Sequence, residues 1–106
     1  MSRDPIHPGT ILADELDELN VTATELARQI DVPANRISEI IRGRRAITGD
    51  TALRLGHWFQ TKPEFWLNLQ AAYELRKAAS EAGEAIERLP HRPGAESGSS
   101  MAAQPA

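Results

Sequence analysis

The 106-residue chain has no cysteine and only five aromatic residues: two Trp, one Tyr and two Phe. Without cysteine there is no disulfide framework and no zinc finger, which suits a reducing compartment, so the cytoplasm is expected. So few aromatics leave aliphatic side chains to fill any core. Long apolar runs are missing as well. Nothing approaches the roughly 20 apolar residues of a membrane span, and the opening MSRDPIHPGT lacks the apolar stretch of a signal peptide. No membrane association is expected. His7, His57 and His91 are scattered without ligand spacing, so no metal site is expected. No serine or histidine stands in a nucleophile motif, and no glycine-rich phosphate loop follows a strand, so neither enzyme activity nor a cofactor is expected.

Hydrophobic residues make up 41% of the chain, enough for the modest core of one compact domain. The net charge of −3 excludes a uniformly basic nucleic-acid coat, but the charge is unevenly spread. Residues 34–45 hold Arg36, Arg42, Arg44 and Arg45 against Glu39, a net of +3. Residues 1–20 hold Arg3 against five acids, a net of −4. A basic edge beside an acidic flank is the expectation.

Helical signals recur along the chain. Leu12, Leu16 and Leu19 fall at i, i+4 and i+7, so a helix is predicted from Pro8 to Leu19, with Pro8 in the first turn. Thr22 and Glu25 have the spacing of a capping box, and Val21 and Leu26 that of a hydrophobic staple. A second helix therefore starts at Thr22 and runs to about Ile30. Asp31-Val32-Pro33 is a turn. A third helix follows from Ala34 to about Arg42, with Ile37, Ile40 and Ile41 inward and Gly43 as its left-handed cap. Thr48 is the expected N-cap of a fourth helix, with Asp50 at the positive end of its dipole and Leu53, Leu55 and Phe59 apolar. Thr61 and Glu64 repeat the capping-box spacing ahead of a fifth helix from Pro63. Its expected apolar stripe is Phe65, Trp66, Leu69, Ala72 and Tyr73. Beyond Tyr73 a solvated or fraying helix is expected, with Gly83 its weak point. The Pro-, Gly-, Ser- and Ala-rich end cannot offset its ordering entropy and reads as disordered. The expected organisation is an all-α, five-helix domain over residues 1–76, a helical extension over 77–89 and a disordered tail over 90–106.

Two short helices joined by a tight turn, with arginines at the far end, form a DNA-reading unit. Any helical bundle has caps and apolar stripes, but the outer face of the third helix is unusual for one. Ala34, Asn35, Ser38 and Glu39 are short or hydrogen-bonding where long charges would cost nothing. A helix entering the major groove needs such a face. Asn35 can bond an adenine edge, and Glu39 can accept from cytosine or simply repel wrong sites. Arg36, Arg42, Arg44 and Arg45 are placed for phosphates, which fix register without reading sequence. The start of the second helix, near Thr24, offers N–H groups to a further phosphate.

Residues 22–45 resemble the helix-turn-helix of the phage-repressor-like (XRE/Cro-type) family. HPGTIL at 7–12, NRISEIIRGRRAIT at 35–48, DTALRL at 50–55 and PEFWLNLQ at 63–70 resemble the HigA antitoxin family, over roughly residues 6–75. The resemblance implies a protein that neutralises a HigB toxin, a RelE-like nuclease that cuts messenger RNA. It also implies a homodimer that represses its own operon by reading double-stranded, palindromic operator DNA. Two residues depart from the family pattern. Asp31 stands where glycine is usual, and Pro33 stands where a serine or threonine cap is common.

Other residues carry weaker signals. Trp66 is expected in the core. Trp58 is beside Phe59 and cannot face the same way, so it is expected half exposed, at a dimer seam, on a toxin surface or as a plain surface aromatic. Arg54 is expected to pair with Asp50 at i, i+4 on the surface. The acidic run 14–18 could attract a basic toxin or simply be solvated. Three functions compete: an autorepressing antitoxin, a free-standing XRE-type regulator without a toxin, and an interaction module whose DNA face is vestigial.

Overall fold

Proline, glycine and a histidine start the first helix. In the computed structural model, which describes residues 5–94, α1 spans Pro8–Leu19, with Pro8 at its first position. The His7 Nδ1 accepts from the Gly9 N–H at 2.9 Å. Four further helices follow: α2 (Ala23–Gln29), α3 (Ala34–Ile41), α4 (Gly49–Phe59) and α5 (Pro63–Glu87). There is no strand among the described residues, and the all-α, five-helix expectation holds.

The core is aliphatic, as the scarcity of aromatics requires. Leu12, Leu26, Ile37, Ile40 and Leu55 are fully buried, with Trp66 the largest side chain among them. Each such side chain contributes about 1.5–3 kcal/mol by leaving water. α3 packs against α2 and α1, and α5 against α4 and α1, so α3 has apolar support behind it. Gly9 explains how closely α1 meets α3. A Cβ there would lie 1.9 Å from the Ile40 carbonyl oxygen, so the two backbones touch where any side chain would collide.

Left-handed residues end four of the helices. Asn20, Asp31, Gly43 and Gln60 all have positive φ, between 57° and 75°. After α3, the Gly43 N–H donates to the Ile40 carbonyl at 3.0 Å and the Arg44 N–H to the Glu39 carbonyl at 2.8 Å, the paired bonds of a Schellman cap. The same pairing closes α2 at Asp31, whose φ is 61°.

Several expectations need correction. Leu19 is exposed, because it is the last residue of α1 and lies beyond the helices that cover Leu12 and Leu16. Leu53 is 63% exposed. It lies two residues, about 200°, from Leu55, so one helix face cannot hold both. Thr51 and Ala52 take the buried positions beside Leu55 instead. Phe65 and Ala72 are exposed, while Trp66, Leu69 and Gln70 carry the packing of α5. The second capping box does not form: Lys62 is the N-cap of α5. Pro63 holds the first helical position, which leaves Glu64 one residue short of the position that closes a box. The first box is half made. The Glu25 N–H donates to the Thr22 hydroxyl at 3.0 Å. The Glu25 carboxylate, however, accepts from Arg28 and, at 2.6 Å, from Gln29. The Arg28 bond, ahead of the Gln29 one, holds the Glu25 carboxyl below the usual carboxylate range.

α5 runs unbroken across the expected 76/77 boundary and through Gly83 to Glu87. Residues 90–94 form no regular element. The rest of the expected disordered tail lies outside the described residues.

Candidate nucleic-acid interface

The turn and α3 present the expected face. Pro33 is the N-cap of α3 and makes no side-chain cap bond, so the first N–H groups of α3 lack a side-chain acceptor from that position. Ala34 and Asn35, the first two helical residues, are exposed. Ser38 is half-buried, and its hydroxyl donates back to the Asn35 carbonyl at 3.2 Å, which keeps the Ser38 oxygen free as an acceptor. Thr24 is exposed at the second position of α2.

The four arginines divide into two pairs. Arg36 lies 3.3 Å from the Asp50 carboxylate, and Arg45 lies 2.8 Å from that of Glu39. Glu39 is thereby engaged inside the chain rather than held out alone. Arg42, the C-cap of α3, and Arg44 in the following loop are exposed and form no ion pair among the described residues. Exposed ion pairs of the Arg36 and Arg45 kind are worth only about 0–1 kcal/mol. A phosphate can compete for either arginine at little cost.

Three residues outside the expected set position this face. Arg54 is the first. Its Nε donates to Asp50 at 3.0 Å, as the i, i+4 spacing implied. Its Nη1 also reaches the carbonyls of Ile30 at 2.8 Å and Asp31 at 3.2 Å. It therefore satisfies the end of α2 and braces the left-handed turn. Through Asp50 it joins Arg36 on α3, so one carboxylate links α4, the turn and α3. Gln70 is the second. This buried side chain accepts from the Ile47 N–H at 2.9 Å and donates to Glu74 at 3.0 Å, tying the loop after α3 to α5. Gln29 is the third, and accepts from the Trp58 indole N–H at 2.6 Å. Trp58 is half-buried and Trp66 is core, as expected. A polar residue inside an apolar stripe signals Gln70. Nothing local signals that Arg54 reaches across 24 residues of sequence to Ile30.

No helix among the described residues is long and apolar enough to cross a membrane. No cluster of three potential metal ligands occurs among them.

A two-helix reading unit braced by a third helix defines a DNA-binding helix-turn-helix domain, and the helix-turn-helix family pattern matches residues 12–66. Virulence-associated protein I of Dichelobacter nodosus is 47% identical over 74 residues, covering 69% of this chain and 68% of that protein. The solved structure of an addiction module antidote protein of the HigA family from Coxiella burnetii is 49% identical, with a TM-score of 0.81 over 84% of this chain and all of the other. The Pseudomonas aeruginosa antitoxin HigA, solved with the higBA promoter, is 42% identical, with a TM-score of 0.80 over 84% of this chain and 98% of the other. The chain belongs to the helix-turn-helix family, in its HigA antitoxin branch.

Proposed function

We propose that the chain is a DNA-binding antitoxin. In this reading it acts as a homodimer in the cytoplasm, binds a palindromic operator upstream of its own gene, and represses that operon. It also neutralises a HigB-like, RelE-like toxin that cuts messenger RNA. One observation carries the reading. The exposed start of α3 is small and hydrogen-bonding, with Arg42 and Arg44 uncommitted beside it. This lies in a chain 42% identical to an antitoxin solved with promoter DNA.

Each side chain then has a role. Ala34 lets the helix start approach the base pairs, and Asn35 bonds an adenine edge in the major groove. Ser38 offers its free lone pairs, and Glu39 accepts from cytosine once Arg45 turns to a phosphate. Arg42, Arg44 and, after release from Asp50, Arg36 contact the backbone, with Thr24 at a neighbouring phosphate. Two copies related by a two-fold axis read half-sites about one DNA turn apart.

A free-standing regulator without a toxin would use the same DNA face and differ only in its partner. Growth rescue separates the two. The small reading frame adjacent to the gene is expressed alone and then together with this protein. The antitoxin reading expects arrest that co-expression relieves; arrest that persists, or none, leaves the free-standing regulator.

A further inference from the structure

Arg44 and Arg45 are carried by a short arc of chain between Gly43, which closes α3, and Ile47, which returns to the core. The arc has no regular structure, and Arg44, Arg45 and Ala46 are exposed along it. Among the described residues the Arg45 and Ala46 N–H groups make no backbone hydrogen bond. The shape of the arc is therefore set from behind, at its two ends. At the first end a Cβ on Gly43 would stand 3.8 Å from the His7 ring, so the N-cap residue of α1 backs the turn. At the second end the Ile47 N–H donates to the Gln70 Oε1 at 2.9 Å. Both partners are out of water, Ile47 at 2% and Gln70 at 6% exposure. Losing that bond would leave a buried donor unpaired, which costs more than the bond contributes when made.

A glutamine amide can turn either its oxygen or its nitrogen to a partner, and only the oxygen serves Ile47. Glu74, one turn further along α5, decides which. Its carboxylate only accepts, and the Gln70 Nε2 donates to it at 3.0 Å. The two partners demand the same orientation of the amide, one needing an acceptor and the other a donor. Glu74 itself is exposed. We propose that Glu74, acting through Gln70, is a positioning residue for the arginine arc, and that it sets phosphate affinity without altering base preference. The proposal rests on the reading of α3 and this arc as the DNA face, and deepens it. That face then has two separate braces. Arg54 holds the turn before α3, where bases are read. Gln70 and Glu74 hold the arc, from which Arg44 and Arg45 reach the phosphates. Charge alone gives the opposite sign: removing an acid from a DNA-binding chain tightens its grip on every sequence.

The full chain tests this by equilibrium binding to the DNA upstream of its gene and to a scrambled duplex, at several salt concentrations. At pH 7.5 His7 is neutral with or without Glu74, since burial already lowers it from 6.5. Glu74→Ala takes away the partner that fixes the Gln70 amide. It should weaken binding to both duplexes alike, by about 2- to 10-fold, the contribution of one hydrogen bond. The salt slope should fall by up to about one for each arginine displaced. Glu74→Gln makes the same change of charge but keeps an acceptor oxygen, and should bind both duplexes at least as tightly as wild type. Both variants alter an exposed side chain, so circular dichroism should be unchanged. Amide hydrogen exchange reads the arc directly. The Ile47 N–H should be protected in wild type and in Glu74→Gln and exchange faster in Glu74→Ala, while the amides of Leu12 and Leu55 stay as they are. A Glu74→Ala chain that binds both duplexes as tightly as wild type, or tighter, would overturn the proposal and leave DNA binding standing. A loss confined to the chain's own site, or one shared equally by Glu74→Gln, would overturn it as well. A wild-type chain that binds neither duplex would overturn the DNA-binding reading itself.

Discussion

α3 is held at its two ends by contacts of opposite kinds. At its C-terminal end the backbone of Ile40 lies against Gly9 with no room for one methyl group, and Gly43 closes the helix in the left-handed region. At its N-terminal end Pro33 supplies no cap, Asp31 sits left-handed, and the bracing comes from the Arg54 guanidinium reaching over from α4. The first end is fixed by repulsion, which does not adjust. The second is fixed by charge-assisted hydrogen bonds at a half-exposed site, which weaken by degrees. The end proposed to meet bases is the second. Its register therefore depends on a few polar contacts as well as on the buried Ile37.

Breaking the steric end should have the largest effect. Gly9→Ala should cost about 3 kcal/mol or more, beyond ordinary overpacking, because the colliding atoms are backbone. Urea denaturation measures it. Gly49→Ala, with nothing within 4 Å of the added carbon, is the matching control and should be nearly neutral. Breaking the polar end should cost less. Arg54→Ala should lose roughly 1–2 kcal/mol, after allowance for its partial exposure, by leaving two turn carbonyls without their donor. It should also loosen site preference more than total DNA affinity, a split that a purely global loss of stability would not produce. Arg54→Lys should recover only part of both, since a single ammonium cannot reproduce the guanidinium's spread of bonds.

The left-handed caps sharpen the contrast from the stabilising side. Gln60→Gly should raise stability by about 1 kcal/mol, and Asp31→Gly by less, because aspartate tolerates that region better. Thermal melts of the two variants rank them. The smallest effect concerns His7. Its Nδ1 must be unprotonated to accept from Gly9, and its ring lies edge-on to Tyr73 at 4.7 Å. Burial pushes the imidazole below its usual 6.5, and Glu74 pulls it partly back. The neutral form is therefore favoured in the fold, and the unfolded chain binds more protons below that value. The contribution is complete above pH 6.5 and is lost as pH falls from there through the lower folded value. A His7→Asn variant keeps a cap at every pH. Wild type should lose up to about 1 kcal/mol relative to it between pH 7.5 and 5.

Much of this fold was legible in the chain because its signals are local. Pro8, Thr22, Gly43 and Pro63 mark helix ends through their own backbone chemistry, and each stands where that chemistry places it. The exposed start of α3 was legible for the same reason. What escaped depends on contacts between distant segments. Periodicity cannot choose between Leu53 and Leu55, because the choice depends on what packs beside α4. The pairing of Arg45 with Glu39 and of Arg36 with Asp50 depends on how the loop after α3 folds back. The bracing role of Arg54 exists only once α2 and α4 lie side by side, and no spacing within DTALRL announces it.

The central claim is that the exposed start of α3 reads bases. The most direct measurement is equilibrium binding of wild type and Asn35→Ala to the DNA upstream of the gene and to a scrambled duplex, at several salt concentrations. Wild type should prefer its own site, and Asn35→Ala should narrow that preference by about 1–3 kcal/mol. Binding to the scrambled duplex and the salt slope should be unchanged, since phosphate contacts are untouched. An Asn35→Ala chain that keeps the full preference would contradict the proposed register of the reading helix.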